Sequence, residues 1–267
     1  MEKYIASVSW GKDSLAMLIY ILENKLPLDE VVFYDTGMEF QAIYNNRNKM
    51  LHYLKQRGIK YTELKPDKPF YYTMFEQPHK GKKDGIVRYG YGWCGGFCRW
   101  GTHEKLVALE RYAKEINAHT YIGIAADEPK RAERLAPQNS APLVTANMCE
   151  ADCLDYCRKR GWNWNEETTA TESGFIDLYD ILDRVSCWCC PLQSYDEMRN
   201  LRKHFPDLWE KLLYMDAHTW RTFVKGYTAK QLDTRFAFEE ERLAQGLPIK
   251  GRAFFDALKE RLKESEE

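Results

Sequence analysis

What this chain lacks narrows it before anything else does. It has no run of 18 apolar residues, and no charged segment precedes an apolar one near residue 1. A membrane span and a secretory leader are therefore not expected, and the chain reads as soluble and cytoplasmic. It has no excess of either charge: 39 basic side chains meet 40 acidic ones, a net of −1. A nucleic-acid partner would have to use a local patch rather than a basic body. Internal repeats and low-complexity tracts are absent, which argues against solenoids and disordered tails. The spacing G-x-x-x-x-G-K-[ST] is also absent, so no Walker A loop is present. The 267 residues suffice for one large α/β domain, or one domain with a helical extension.

What is present is organised around Ser7-Val8-Ser9-Trp10-Gly11-Lys12-Asp13-Ser14. Tyr4 to Val8 is a short β-rich run, and Leu15 to Leu22 is almost unbroken apolar sequence rich in helix formers. The pattern predicts a strand, a tight polar turn and a buried helix. A helix that starts at a strand's carboxyl end directs its free N–H groups and the positive end of its dipole outward, which suits an anion. Gly11 permits close backbone approach, Lys12 adds a positive charge, and Ser9 and Ser14 add hydroxyls. The alternative is a plain strand–helix turn with a surface lysine.

A second apolar run, Val31 to Tyr34, ends in Asp35-Thr36-Gly37, and Ile43, Arg47, Met50, Leu51 and Leu54 follow with helical period. Gly58 closes that helix and Ile59 to Leu64 predicts a third strand. A β-α-β-α-β order argues a parallel sheet with right-handed crossovers, with both polar turns at strand carboxyl ends where ligands bind. Residues 66–103 break the rhythm with Pro, Gly and aromatics mixed with bases, as in His79 to Lys83 and Arg88 to Trp93. Such a stretch suits a nucleic-acid or nucleotide substrate, or a solvated lid. A helix carrying Leu106, Leu109, Ala113 and Ile116 follows, then a fourth strand over His119 to Ala126. Asp127 to Arg131, with Arg134 one turn on, could clamp phosphate or sulfate, or form an exposed charged loop. Leu143-Val144 is expected to begin a fifth strand, and a helix is expected from Glu150 to Gly161. Beyond Pro191 the periodicity is helical only, with capping boxes at Ser194/Glu197 and Thr228/Gln231. The expected organisation is thus an α/β domain over 1–191, with an inserted loop 66–103, and a helical extension over 192–267.

The eight cysteines fall into three groups. Cys149, Cys153 and Cys157, at steps of four, share a helix and read mainly as core residues. Cys94-x-x-x-Cys98 and Cys187-Trp188-Cys189-Cys190-Pro191 are separated by 88 residues. In a cytoplasmic chain such groups point to metal or redox chemistry rather than disulfides. Cys94, Cys98, Cys187 and Cys190 could supply four thiolates to a [4Fe–4S] cluster, with zinc as the alternative, stapling the loop to the end of the α/β domain. The other reading makes Cys189 a nucleophile or persulfide carrier.

Taken together, Ser9 to Ser14, Asp35-Thr36-Gly37 with Glu39, and Gly123 to Arg131 resemble the phosphoadenosine phosphosulfate (PAPS) reductase family of the PP-loop superfamily, over about residues 3 to 191. Trp10 stands where the first Gly of the S-G-G-K-D-S signature stands. The resemblance implies a doubly wound, five-stranded parallel α/β fold with an adenine nucleotide across the strand ends. Ser7, Ser9, Gly11, Lys12, Asp13 and Ser14 would surround the phosphates, with Lys12 and Asp13 catalytic. Asp35, Thr36, Gly37 and Glu39 would lie near the nucleoside, with Gly123 and Asp127 nearby, and Arg131 and Arg134 would face the distal anion. The cysteine layout is similar to that of cluster-bearing adenylyl-sulfate reductases and of the sulfur-transfer component of DNA phosphorothioation systems. True reductases carry a cysteine near the C-terminus, whereas no Cys follows Cys190 in this sequence. The expected function is therefore cleavage of ATP with Mg²⁺ between its α and β phosphates, by pyrophosphatase or adenylation chemistry, with sulfur transfer to a nucleic-acid or small-molecule acceptor as its extension. The alternatives are a sulfonucleotide reductase using Cys189 and a nucleotide-binding module without turnover. A homodimer is compatible with each.

Overall fold

The computed structural model describes residues 3–94 and 98–264 of the chain, without the side chain of Arg99. The chain groups into two units, one made of Met1–Phe70 and Arg99–Trp188, the other of Tyr71–Cys98 and Cys189–Glu267.

In the first unit, β1 (Lys3–Ser7) leads through the turn at Ser9 to Gly11 into α1 (Lys12–Glu23). Then come β2 (Glu30–Tyr34), α2 (Gln41–Gln56) and β3 (Lys60–Leu64). The chain passes through the second unit's hairpin of β4 (Pro78–Lys80) and β5 (Val87–Tyr89) before returning as α3 (Lys105–Glu115) and β6 (Ala118–Ile122). Two one-turn helices, α4 (Pro129–Ala132) and α5 (Pro142–Thr145), flank β7 (Asn139–Ser140), and α6 (Glu150–Arg158) and the small ribbon β8 (Asn165–Glu167) and β9 (Phe175–Asp177) complete the unit.

The sheet is five-stranded, in the order β3-β2-β1-β6-β7, and every pairing in it is parallel. This is the expected doubly wound α/β fold. Strand order reverses between β1 and β6, so the carboxyl ends of those two strands flank the crevice where such sheets bind ligands. β2 is buried at all five positions, as a central parallel strand must be. Ile5, Val32 and Ala118 turn to one face, where Leu109, Tyr112 and Ala113 of α3 and Ile116 at its C-cap pack on them. Five large apolar side chains of α1, Leu15, Met17, Leu18, Ile19 and Ile21, are buried, each worth roughly 1.5–3 kcal/mol.

Three expectations are corrected. The fifth strand is Asn139–Ser140, not Leu143-Val144: Pro142 opens a helical turn there, because its fixed φ and missing N–H suit a first helical position. The fourth strand stops at Ile122, since Gly123 onward turns into the crevice. The helix from Glu150 ends at Arg158 rather than Gly161, whose φ of 75° is left-handed.

In the second unit, the stretch expected to be a plain loop holds a π-helical turn (Tyr72–Glu76) and the β4–β5 hairpin, while residues 95–97 lie outside the described residues. The helices are α7 (Tyr195–His204), α8 (Pro206–Ala217), α9 (Ala229–Ala244) and α10 (Arg252–Glu264). Both capping boxes form, Ser194 with Glu197 and Thr228 with Gln231. Trp209, Leu212, Phe254 and Leu258 are core residues, whereas Phe255 is exposed. Trp93 is also buried there, its indole N–H donating to Asp216 Oδ1 at 2.9 Å. Among the described residues no helix is long and apolar enough to cross a membrane.

Candidate functional site

The turn after β1 is tied together by its own hydroxyls. Ser14 Oγ accepts from the Ser9 N–H at 3.1 Å and donates to the Gly11 carbonyl at 3.2 Å, with Ser9 Oγ 3.1 Å away. Trp10 takes a φ of 64°, the left-handed region that glycine enters without strain. It is held there by burial: its ring is inaccessible to solvent and packs edge-on to Phe33 at 6.1 Å. Its carbonyl also accepts the Trp164 indole N–H at 2.8 Å. Trp10 Nε1 itself is buried with no hydrogen-bond partner among the described residues.

Gly11 caps α1 with no side-chain cap, and the Tyr179 hydroxyl accepts from the Lys12 N–H at 2.8 Å. The Lys12 ammonium is nearly buried and pairs with Glu150 at 2.5 Å and Asp13 at 3.2 Å. Burial works against its charge, but the two carboxylates outweigh burial and hold its pKa above the ordinary lysine value. Asp13 also titrates above its usual range: burial disfavours its charge, and one ammonium shared with Glu150 does not compensate fully. The group thus carries two carboxylates against one ammonium.

The β6 loop closes the other side of the crevice. A Cβ on Gly123 would come within 2.7 Å of Ser14 Cα, so only glycine lets this loop lie against the first turn of α1. Asp127 accepts the Glu150 N–H at 3.1 Å, docking the start of α6 beside Lys12. Cys149 caps α6 with Asp152 in a reciprocal box, and the Cys157 thiol donates to the Lys12 carbonyl at 3.6 Å. Cys153 and Cys157 are fully buried; burial pushes the Cys157 thiol up to about 12 and raises Cys153 as well.

The other expected residues are distributed as follows. Ser7 ends β1. Asp35 accepts from the Gly37 N–H and from the Tyr44 hydroxyl, both at 2.8 Å. Thr36 is buried, donates to Glu39 at 3.0 Å, and lies 3.3 Å from Cys187 Sγ. Burial raises the Glu39 carboxyl above its usual range. Arg131 pairs with Glu128 on its own turn at 2.6 Å, and Arg134 donates to the Lys130 carbonyl at 2.7 Å. Both guanidinium groups are therefore engaged locally rather than with the turn after β1.

The chain belongs to the family described as the phosphoadenosine phosphosulfate reductase domain. The family model matches residues 3–142, more than half of the 267 residues, and takes in the turn, Asp35 to Glu39 and the β6 loop. Two uncharacterised proteins of Methanocaldococcus jannaschii are 25% identical to this chain, over 85% and 90% of its length. The chain spans 42% and 50% of their lengths. Among solved structures it is similar to the U34-tRNA thiolase NcsA from Methanococcus maripaludis with its [4Fe–4S] cluster, at TM-score 0.38 and 15% identity, over 61% of this chain and 58% of that one. So remote a likeness carries nothing about function.

The four cysteines expected to ligate a cluster divide between the units: Cys187 lies in the first, and Cys94, Cys98 and Cys190 in the second. All four are half-buried and none is in a disulfide, so the donor set has the chemistry that an iron–sulfur cluster or zinc requires. Among the described residues, no three His, Cys, Asp or Glu side chains are gathered closely enough to hold a metal ion. Cys189 is buried.

Sequence reasoning missed Glu150, Tyr179 and Trp164, which come from far along the chain to hold the turn. Glu150 had one local signal, the Cys149/Asp152 capping box, but cysteine stands outside the usual Ser, Thr, Asp and Asn caps.

Proposed function

We propose that this reductase-family chain binds an adenine nucleotide across the β1 and β6 strand ends and cleaves ATP between its α and β phosphates. The supporting observation is Lys12: a nearly buried ammonium at the start of α1, at the point where strand order reverses. An anion there meets the helix dipole, the ammonium and the Ser9 and Ser14 hydroxyls together. As the α–β bond breaks, negative charge gathers on the departing pyrophosphate, and Lys12 offsets it from a site already fixed by protein contacts. Asp13 orients the ammonium. ATP enters as its Mg²⁺ complex, which also offsets the surplus carboxylate. Asp35 to Glu39, at the end of β2, provide the groups for the nucleoside, and Arg131 and Arg134 would reach a distal anion after release from their local partners.

An adenylated oxygen is a good leaving group, so the cleavage extends to replacing an acceptor oxygen with sulfur. Cys94, Cys98, Cys187 and Cys190 are the residues that would hold a [4Fe–4S] cluster, or zinc in its place; a cluster would supply sulfur or electron-transfer chemistry. The test is anaerobically purified protein given α-labelled ATP and Mg²⁺, with products separated. AMP should form, and Lys12→Ala should reduce its rate by about 10²–10³-fold. No AMP from the unaltered protein, with tight binding of a sulfonucleotide, would overturn the reading.

A further inference from the structure

The β4–β5 hairpin and the segment following α8 form a basic and aromatic surface that the nucleotide site does not use. Both lie in the second unit. Two contacts order the hairpin, one from its turn and one at its base. Arg88 makes two bonds to Asp84, at 2.6 and 3.2 Å, and the Trp220 indole N–H donates to the Gly90 carbonyl at 3.2 Å. The guanidinium carbon of Arg88 stands 5.3 Å from the Trp220 ring centroid and that of Arg221 4.5 Å from it. Arg221 is fixed by its bond to the Trp93 carbonyl at 3.3 Å. The result is an ordered guanidinium–aromatic stack, yet Trp220 keeps 44% of its surface exposed and Tyr89 64%. Large planar side chains left in water on a rigid frame are unusual, because burying them would be favourable.

Charge supplies the second half of the argument. Lys80 at the end of β4, Lys82 and Lys83 in the hairpin turn, and Lys225 in the segment after α8 are exposed and make no ion pair among the described residues. The acids of these segments are Asp84, already bound to Arg88, Glu76, and Asp216, which is buried and accepts from the Trp93 indole and the Ala229 N–H. In a chain with net charge −1, this is a local patch of one sign. Exposed lysine ammoniums meet phosphates, whereas guanidinium and aromatic planes meet bases. A duplex hides its base faces, and the carboxylate side chains of an acidic peptide have no rings to stack; a single strand repeats an anion and a planar ring in every unit.

We infer that this surface binds single-stranded nucleic acid, with Trp220, Arg88 and Arg221 stacking bases and the hairpin lysines contacting the phosphodiester backbone. The inference deepens the proposed function by naming the acceptor class, and rests on it only for the role of the bound strand.

The experiment is fluorescence anisotropy of the full chain with labelled single-stranded RNA, single-stranded DNA and duplex DNA of mixed sequence, without ATP, across a salt series. Single strands should bind more tightly than the duplex; the RNA and DNA arms show which sugar is preferred. Lys82→Ala with Lys83→Ala should reduce the slope of log affinity against log salt by about 1.4. Trp220→Ala should weaken single-strand binding about 5- to 150-fold, and Trp220→Phe should restore most of it. The lysine variants touch no core residue, so they keep the test valid if Trp220→Ala folds poorly. Absence of single-strand binding at low salt overturns the inference. So does equal competition by polyglutamate, which would make the surface a simple polyanion patch. AMP formation from ATP is scored separately, so loss of one reading leaves the other standing.

Discussion

Replacing Trp10 with glycine restores the residue of the family signature and relaxes a left-handed backbone, yet it should destabilise the protein. Relief of the left-handed strain at a residue with φ 64° is worth about 1–2 kcal/mol. Removing an indole N–H that is buried without a partner returns about 1 kcal/mol more. Against this, the ring is fully buried, and truncating a core tryptophan costs about 3–5 kcal/mol. The extra freedom of glycine in the unfolded chain adds about 0.5–1 kcal/mol to the loss. The balance is a net loss of about 2 kcal/mol. With a urea dependence of about 2–3 kcal/mol/M, the unfolding midpoint of Trp10→Gly should fall by a little under 1 M. Trp10→Phe keeps most of the packing and removes the orphaned N–H, so it should stay within about 1 kcal/mol of the unaltered protein. The assay is urea unfolding followed by circular dichroism, with pyrophosphate binding measured in parallel. A Trp10→Gly midpoint equal to or above that of the unaltered protein would refute the claim that packing rather than backbone preference sets this residue.

Four further outcomes are expected. Glu150→Gln removes the carboxylate that competes for Lys12; Glu150 is too exposed for the pair to be worth more than about 1 kcal/mol, so metal-free pyrophosphate should bind about fivefold more tightly by calorimetry, and weaker binding would show that Glu150 aids the anion instead. Gly123→Ala drives a methyl group into the first turn of α1 and should cost about 1–3 kcal/mol with loss of nucleotide binding, measured by thermal melting with and without ATP. Cys153 and Cys157, with their thiols raised by burial, should resist iodoacetamide at pH 8 and react fully in denaturant, as read by mass spectrometry. Glu166 accepts the N–H groups of Gln41 and Ala42 at the start of α2, so Glu166→Ala should lose about 1–2 kcal/mol. Burial raises the Glu166 pKa in the folded state, so its contribution is greatest below its unfolded value and shrinks as pH rises through the folded one; the gap in urea midpoint between the unaltered protein and Glu166→Ala should be widest below the ordinary glutamate value of 4.5 and narrow as pH rises above it.

The strand–turn–helix at Ser9 to Gly11 is legible because its signals are local: a strand, a glycine, a lysine and a buried helix lie within two dozen residues. The same holds for the three strands that begin the sheet and for both capping boxes of the second unit, where residue type and spacing carry the whole effect. The fifth strand was misplaced because Leu143-Val144 has β-type side chains while Pro142 beside it fixes a helical φ, and the backbone constraint prevailed. Trp10 could be noticed as a departure but not explained, since Phe33, Tyr61 and Trp164 gather around it only in three dimensions. Arg131 and Arg134 were named for their charge, and charge alone does not reveal that Glu128 and the Lys130 carbonyl already hold them. The rigidity of the hairpin was equally hidden, because Trp220 lies 130 residues beyond its partner Gly90.

The hydroxyl of Tyr179 on the first turn of α1 bears on how this module could be inherited. The family match ends at residue 142, but the groups that brace the turn after β1 include Glu150, Cys157, Trp164 and Tyr179. The signature turn is therefore not a portable cassette. A gene fusion or truncation that kept residues 3–142 would transmit the signature without its scaffolding, and a lineage can vary the turn only in step with a segment that no motif search would attach to it.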